Sequence, residues 1–193
     1  MSRHPEEDGP VVVRHDDPLE RVPMSWEQYL KLPERPRAEW VNGVAVIMNA
    51  PPSFDHGRSA LRLGAVLLDA LPDLHVVTEV QLRMSEDLVR LPDLMVVDTA
   101  PADDWVSEPP LMVAEVLSRS TKSEDVLVKS AEYAHFGIGH YWILDPEQRT
   151  LEVMRNEANG WFTLVVLDDE HPEVTAVVAG RPVSVDLRQI LRT

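Results

Sequence analysis

Asp93, Glu115 and Lys129 are the residues of this chain whose types and surroundings point most directly to chemistry. Asp93 stands in Arg90-Leu91-Pro92-Asp93-Leu94, at the head of the apolar run Leu94-Met95-Val96-Val97. Glu115 interrupts a second apolar run, Val113-Ala114-Glu115-Val116-Leu117, 22 positions later. An ionised carboxylate on a buried strand carries a large desolvation cost unless a cation or hydrogen bonds offset it. A divalent metal held by oxygens is one such partner. Two carboxylates on neighbouring strands can hold Mg²⁺ or Mn²⁺, and an ammonium nearby can orient a water or stabilise a phosphoryl oxygen. Together they are the equipment of phosphodiester hydrolysis.

Each of these residues also has a plainer reading. An acid that opens a strand after proline is commonly a turn residue. Lys129 has Asp125 one turn before it, the spacing of an ordinary surface ion pair worth roughly a few tenths of a kcal/mol. Arg90 adjoins Asp93 and suits either a phosphate or a surface acid, and Gln81, on the preceding strand, is placed to line a cleft. Asp55-His56 opens a helix, where the acid suits the dipole and the histidine either caps, packs or takes part in catalysis. The remaining histidines show no metal-ligand spacing, and the five tryptophans read as core or interface anchors because no basic cluster interleaves them.

The elements that must position these groups follow from pattern. Ser25-Trp26-Glu27-Gln28 has capping-box spacing and starts a helix that ends before Pro33. Arg37 to Val41 and Val44 to Asn49 flank Asn42-Gly43, a pair suited to a type I′ hairpin. From Ser53 to Leu71 a long helix is predicted, with Leu61, Ala65, Leu68 and Leu71 as its apolar stripe. Leu74 to Met84, Leu94 to Asp98, Leu111 to Leu117 and His140 to Leu144 read as the strands of a central sheet. Alternation puts Leu111, Val113, Glu115 and Leu117 on one face of theirs.

Thr121-Lys122-Ser123-Glu124 is a second capping box, opening a helix that runs to Phe136 and stops at Gly137. Leu127, Val128, Ala131 and Ala134 lie on one side of that helix, and Val126, Tyr133 and Phe136 on the other. Strand, helix and strand there form a parallel, right-handed crossover. Thr150 to Arg155, Trp161 to Leu167 and Val174 to Val178 read as an antiparallel meander, with a hairpin at Asn159-Gly160 and a short closing helix near Leu187 to Leu191.

Composition bounds the rest. A chain of 193 residues suffices for one domain with a full core. Residues 1–23 are acidic and proline-rich and read as a disordered tail, leaving 24–193 as the domain. No basic start with a long apolar stretch marks a secretory signal, and no run suits a membrane span, so a soluble cytoplasmic protein without membrane partners is expected. Zero cysteines exclude disulfides, thiolate catalysis and cysteine-ligated zinc. The net charge of -15, still -12 once the tail's three arginines and six acids are set aside, works against easy binding to nucleic acid.

The motifs resemble a known family. Leu91-Pro92-Asp93 with Glu115 looks like the acidic half of the PD-(D/E)XK nuclease signature, but the position two residues after the second acid, where the lysine usually stands, is Leu117. The chain resembles instead the Uma-two family of restriction-endonuclease-like proteins, in which the lysine has moved to the following helix. The likeness runs from about Met24 to Val185. It is carried by Ala38-Glu39-Trp40-Val41-Asn42-Gly43, by Glu115-Val116-Leu117-Ser118 with Ser120-Thr121, Asp125 and Lys129, and by Tyr141-Trp142-Ile143-Leu144-Asp145-Pro146.

The resemblance implies an α/β domain of restriction-endonuclease type, with a mixed central sheet flanked by helices, and metal-dependent cleavage of DNA by a homodimer. It implies that Asp93 and Glu115 bind Mg²⁺ or Mn²⁺, that the carbonyl of Val116 adds a ligand, that Lys129 aids the attacking water and that Glu39 completes the site. Glu39 alternates with Ala38 and Trp40, the pattern of an ordinary solvated strand face. Two rival functions stand beside DNA cleavage: a nuclease fold without activity used for binding or assembly, and a metal-dependent phosphoesterase acting on a small substrate.

Overall fold

The type I′ hairpin forms as expected. Asn42 and Gly43 both take positive φ, 50° and 81°, and join strand β2 (Arg37–Val41) to strand β3 (Val44–Met48). In a computed structural model that describes residues 19–118, 124–158 and 160–192, this hairpin is the heart of a five-stranded sheet. Strand β1 (Leu19–Pro23) pairs with β3, so the last five residues of the expected tail belong to the sheet; the remaining tail residues lie outside the described ones. Pro23 is tolerated because it ends an edge strand, where no ladder donor is required. Between β1 and β2 the Ser25–Gln28 capping box closes a single turn, helix α1 (Trp26–Tyr29).

The predicted strand from Leu74 to Met84 is two strands in different sheets. Glu79 takes φ 54° and separates β4 (His75–Val77) from β5 (Leu82–Ser85). With β6 (Leu88–Arg90), β5 completes the first sheet in the order β1-β3-β2-β6-β5. Strand β4 joins the central sheet through β7 (Leu94–Val97), next to β8 (Met112–Val116) and β9 (His140–Asp145). Strands β10 (Thr150–Glu157) and β11 (Gly160–Leu167) extend that sheet to the order β11-β10-β9-β8-β7-β4. Only β8 and β9 run parallel, as the expected crossover requires; the sheet is mixed.

The meander differs from its prediction at the end. Its third strand, β12 (Glu173–Val178), pairs with β13 (Arg181–Asp186), whose short Val183-Ser184-Val185 alternation sequence reasoning missed, in a separate antiparallel ribbon. Asn159 of the predicted hairpin turn lies outside the described residues, but β10 and β11 pair up to Glu157 and Gly160. Asp186 caps the expected closing helix, α4 (Leu187–Leu191).

Helix α2 (Phe54–Ala70) also turns a different stripe inward. Leu63, Gly64 and Leu67, followed by Leu71, pack on the sheet, whereas Leu61 and Leu68 are 73% and 56% exposed and Ala65 is exposed too. The reason is Gly64: a Cβ there would stand 3.2 Å from the Leu94 side chain, so this is the line along which the helix approaches β7 most closely. Within β8 the alternation holds, but Leu111, expected beside Val113, precedes the strand and packs against the other core. Met112, Ala114 and Val116 face the core under α2, and Val113 and Leu117 face a second core that includes Tyr133 and Tyr141.

That second core is covered by helix α3 (Ser130–Phe136), which follows a π-helical turn, Glu124–Lys129, and ends at Gly137 in the left-handed region. The capping box proposed at Thr121-Lys122-Ser123 lies outside the described residues. Leu127 and Val128, expected on the apolar side, are 72% and 42% exposed. No helix among the described residues is long and apolar enough to cross a membrane.

Two glycine substitutions test this packing with opposite signs. At Gly139 a Cβ would lie 2.8 Å from the Leu111 carbonyl oxygen, so Gly139→Ala is expected to lower unfolding free energy by about 1–3 kcal/mol in urea melts. At exposed Gly57, inside α2 with open space around it, alanine is expected to raise stability by about 0.5–1 kcal/mol.

Candidate active site

The chain crosses from the first sheet to the central sheet through Leu91-Pro92, and the acids gather where it crosses. Leu94 pairs with Ala114 across the antiparallel β7–β8 ladder, so one step outward Asp93 falls opposite Glu115 on the same face. The Asp93 amide points at Glu115 Oε2 at 3.4 Å, and the Val116 amide donates to Asp93 Oδ2 at 2.8 Å. The first sheet repeats the device. Trp40 pairs with Val89, which brings Glu39 opposite Arg90, and Arg90 Nη1 donates to Glu39 Oε2 at 2.8 Å.

Lys129 joins the two pairs. Its Nζ lies 3.0 Å from Glu39 Oε1 and 3.3 Å from Glu115 Oε1. Tyr133, one helical turn on, donates its hydroxyl to the same Glu115 oxygen at 2.8 Å. Glu39, Glu115 and Lys129 are each 5% exposed or less. The structure therefore brings Glu39, Asp93, Glu115 and Lys129 into one place, and Glu39 is not on a solvated face. Burial opposes ionisation of Glu39, but the charges of Lys129 and Arg90 outweigh it and hold the carboxyl below its ordinary range. Burial first, then the charge of Glu115, pushes the Tyr133 hydroxyl well above its ordinary value, so it stays a donor.

His56 enters from the other side. The Ser53 hydroxyl caps α2 by accepting from the His56 amide at 3.2 Å, which fixes the histidine in the first turn over Asp93. Its Nε2 lies 3.2 Å from Asp93 Oδ1. Burial disfavours the charged ring, yet Asp93 and a backbone hydrogen bond to Val116 outweigh both burial and Arg37, so His56 holds its proton above the ordinary value of 6.5. For Asp93 burial is again the largest influence, opposed successfully by His56, the Val116 amide and Lys129; its carboxyl lies below the ordinary range.

Two expected cleft residues are elsewhere. Arg90 is fully buried and occupied: besides Glu39 it binds Glu132 in a fork, Nε to Oε2 at 2.7 Å and Nη2 to Oε1 at 2.8 Å. Its guanidinium braces Glu39 instead of meeting a phosphate. The Gln81 amide donates to the Tyr29 hydroxyl at 3.1 Å and lines a neighbouring depression beside Trp105. Sequence reasoning missed Glu132 and Tyr133, although Tyr133 stands at i+4 from Lys129, the spacing that puts both on one helix face. It gave His56 only a minor place.

Asp93, Glu115, Lys129 and His56 line a cavity of about 530 Å³ with Leu117 and Ser118. The donor chemistry fits a divalent cation. Four carboxylates, from Glu39, Asp93, Glu115 and Glu132, face two permanent cations, Lys129 and Arg90, and the excess is negative. Every donor is an oxygen or an imidazole, as a sequence without cysteine demands. Among the described residues no three such side chains are already drawn together as a metal shell; Lys129 and His56 stand between the acids.

A mixed sheet with helices on its faces and paired acids at the end of its central strands defines a restriction-endonuclease-like domain. The chain belongs to the Uma2 family, whose model, described as "Putative restriction endonuclease", matches residues 26–185. Among solved structures it is similar to one described as a "putative nuclease belonging to DUF820" from Anabaena variabilis ATCC 29413. That match has a TM-score of 0.69 at 19% identity and covers 88% of this chain and 98% of the other. No protein among the curated sequences matches.

Two outcomes follow from the network. Arg90→Met removes the fork on Glu132 and one of the two cations on Glu39, which keeps Lys129, and is expected to cost about 3–5 kcal/mol in urea denaturation. In EDTA, the stability that protonated His56 contributes is present in full below pH 6.5, its unfolded value, and is lost as pH rises through the raised folded value. Melting temperature against pH should therefore fall more steeply above 6.5 in the parent protein than in His56→Gln.

Proposed function

We propose that this chain is a divalent-metal-dependent endonuclease that hydrolyses DNA phosphodiester bonds. The observation that carries the reading is the juxtaposition of Asp93 and Glu115 across β7 and β8, in a cavity that Lys129 also lines. In this reading Asp93 and Glu115 hold Mg²⁺ or Mn²⁺, with the Val116 carbonyl as a further ligand. Bound there, the cation polarises a phosphoryl oxygen and lowers the pKa of water. Lys129 orients the attacking water and stabilises the charge that develops on the phosphoryl group. Glu39 positions Lys129 through their ion pair of 3.0 Å. The family description and the fold of the solved neighbour support nuclease chemistry. The zero cysteine count agrees with a cytoplasmic setting, and the chain from Leu19, whose strand β1 pairs with β3, acts as one domain.

One observation favours a second reading, a phosphoesterase for small substrates. The cavity rim carries Asp55 and Glu147, and its arginine, Arg37, is tied to Glu79 at 2.9 Å. With a net charge of -15 this leaves little positive field to draw in a polyanion.

We also propose a homodimer. Strand β11 closes one edge of the central sheet, and Phe162, Leu164 and Val166 on it are exposed, a surface suited to pairing with a second copy. Light scattering should give twice the chain mass, and Leu164→Glu should return it to one; a parent protein that stays monomeric at high concentration removes the dimer.

The metal reading is tested by melting. Mg²⁺ or Mn²⁺ at a hundredfold excess over its Kd should add about 2.7 kcal/mol of stability, and Asp93→Ala should abolish that gain. Nicking of plasmid DNA that falls about 10²–10³-fold in Lys129→Met supports the endonuclease. Turnover of bis(p-nitrophenyl) phosphate with intact plasmid supports the small-substrate reading. A chain that binds metal yet cuts neither is an inactive nuclease fold.

A further inference from the structure

We propose that the depression beside Trp105 takes one unpaired base of the strand whose phosphate enters the acid site, and hence that the substrate is single-stranded or frayed DNA. The proposal rests on the nuclease reading above. The depression, about 520 Å³, adjoins the acid cavity, since Arg37 and Leu91 line both. Leu91 precedes Asp93 by two residues, and two residues of extended chain span at most about 7 Å. That is the scale on which a nucleotide separates its base from the next phosphate, so one strand can occupy both cavities. A base paired in a duplex is stacked and cannot enter a side cavity; an unpaired base can be splayed into it.

The walls are prearranged for a flat, hydrogen-bonding group. Trp105 is held beside β5 because its neighbour Val106 bridges to Leu82. The Val106 amide donates to the Gln81 carbonyl at 2.9 Å, and the Arg83 amide donates to the Val106 carbonyl at 2.8 Å. The Arg83 guanidinium lies 5.6 Å from the centroid of the Trp105 ring and 4.9 Å from that of Trp26, which steadies the indole. That indole is only half-buried and lines the depression. The Tyr29 hydroxyl donates to the Ala38 carbonyl at 3.0 Å, so it must accept from Gln81. This fixes the Gln81 amide with Nε2 on Tyr29 at 3.1 Å, and among the described residues its Oε1 has no hydrogen-bond partner. An indole for stacking beside an amide for the base edge is the pair of groups that holds an unpaired base.

Charge decides which part of a nucleotide the depression accepts. Its acids Glu34, Glu79 and Asp104 outnumber Arg35 and Arg37, and both arginines are tied to Glu79, at 3.4 and 2.9 Å. A phosphate is therefore repelled, whereas a neutral base is not. Glu79 itself holds φ 54°, a strain that a residue other than glycine keeps only where the surroundings demand it, and such strain gathers at ligand sites.

Fluorescence anisotropy of labelled hexanucleotides with the full chain, in EDTA at low salt, separates base from backbone. A single strand with its bases should bind about tenfold more tightly than the same strand made abasic throughout, within the span of base–aromatic stacking. Trp105→Ala should abolish that difference by weakening the strand with bases. A blunt hairpin duplex should bind the parent protein no better than the abasic strand. Equal affinity of the two single strands in the parent protein, a duplex bound as tightly as the strand with bases, or a difference that persists in Trp105→Ala overturns the proposal. The comparison of strands on the parent protein decides even if the variant folds poorly. Cleavage of a circular single strand with Mn²⁺ separates the two levels of argument. Equal strand affinities with cleavage that Lys129→Met abolishes overturn the base site alone; neither binding nor cleavage overturns the nuclease reading and the base site with it.

Discussion

A buried ammonium between two buried carboxylates governs this structure. Lys129 bonds Glu39 of the first sheet and Glu115 of the central sheet, and Arg90 links the same Glu39 to Glu132 of α3. Taking these charges out of water is expensive, and a well-packed apolar substitute would often be as stable. Such a network is retained more readily for chemistry than for stability. Its geometry also constrains everything around it: the crossing at Leu91-Pro92, the register of two ladders and the placement of α3 must all agree before the charges meet.

The helix that carries Lys129 is adjusted to that demand. Residues Glu124–Lys129 form a π-helical turn and α3 begins only at Ser130. A wider turn puts the residues before it out of phase with those after it, and such turns recur at functional sites. Leu127 and Val128 consequently face outward, while Lys129, Tyr133 and Ala134 face inward. A helical wheel drawn through the whole segment assigns Leu127 and Val128 to the wrong side.

What could be read from sequence was local or strictly periodic. Asn42-Gly43 dictates its turn because few residues accept two consecutive positive φ values, and Ser25 with Gln28 caps α1 through contacts three residues apart. The alternation of β8 separated Glu115 from Met112, Ala114 and Val116 correctly because both faces of that strand are buried. Choices between competing patterns were not legible. Helix α2 carries two plausible apolar stripes, and the one used is decided by the closeness of Gly64 to Leu94, a tertiary fact. The kink at Glu79 leaves no mark in an apolar run.

At the site the acids announced themselves as charges on apolar strands, but their partners did not. Glu132 resembles any exposed helical acid until Arg90 is known to lie beneath it, and His56 resembles any residue of a first helical turn until Asp93 is placed beside it. Partners 37 to 42 positions apart are joined by ladder register and helix docking, which no local pattern encodes.

The crossing at Leu91-Pro92 ties this site to the history of the chain as well as to its shape. Glu39 and Lys129 are 90 positions apart, yet they touch only after the first sheet, the central sheet and the crossover helix have all docked. Contacts of such sequence separation are the slow ones, because loop closure precedes any reward. A partly folded chain can own either pair separately, the Glu39–Arg90 ion pair or the two acids Asp93 and Glu115, but not the ammonium between them. The assembled charge cluster therefore marks completion of the whole fold, and a partially folded intermediate lacks it.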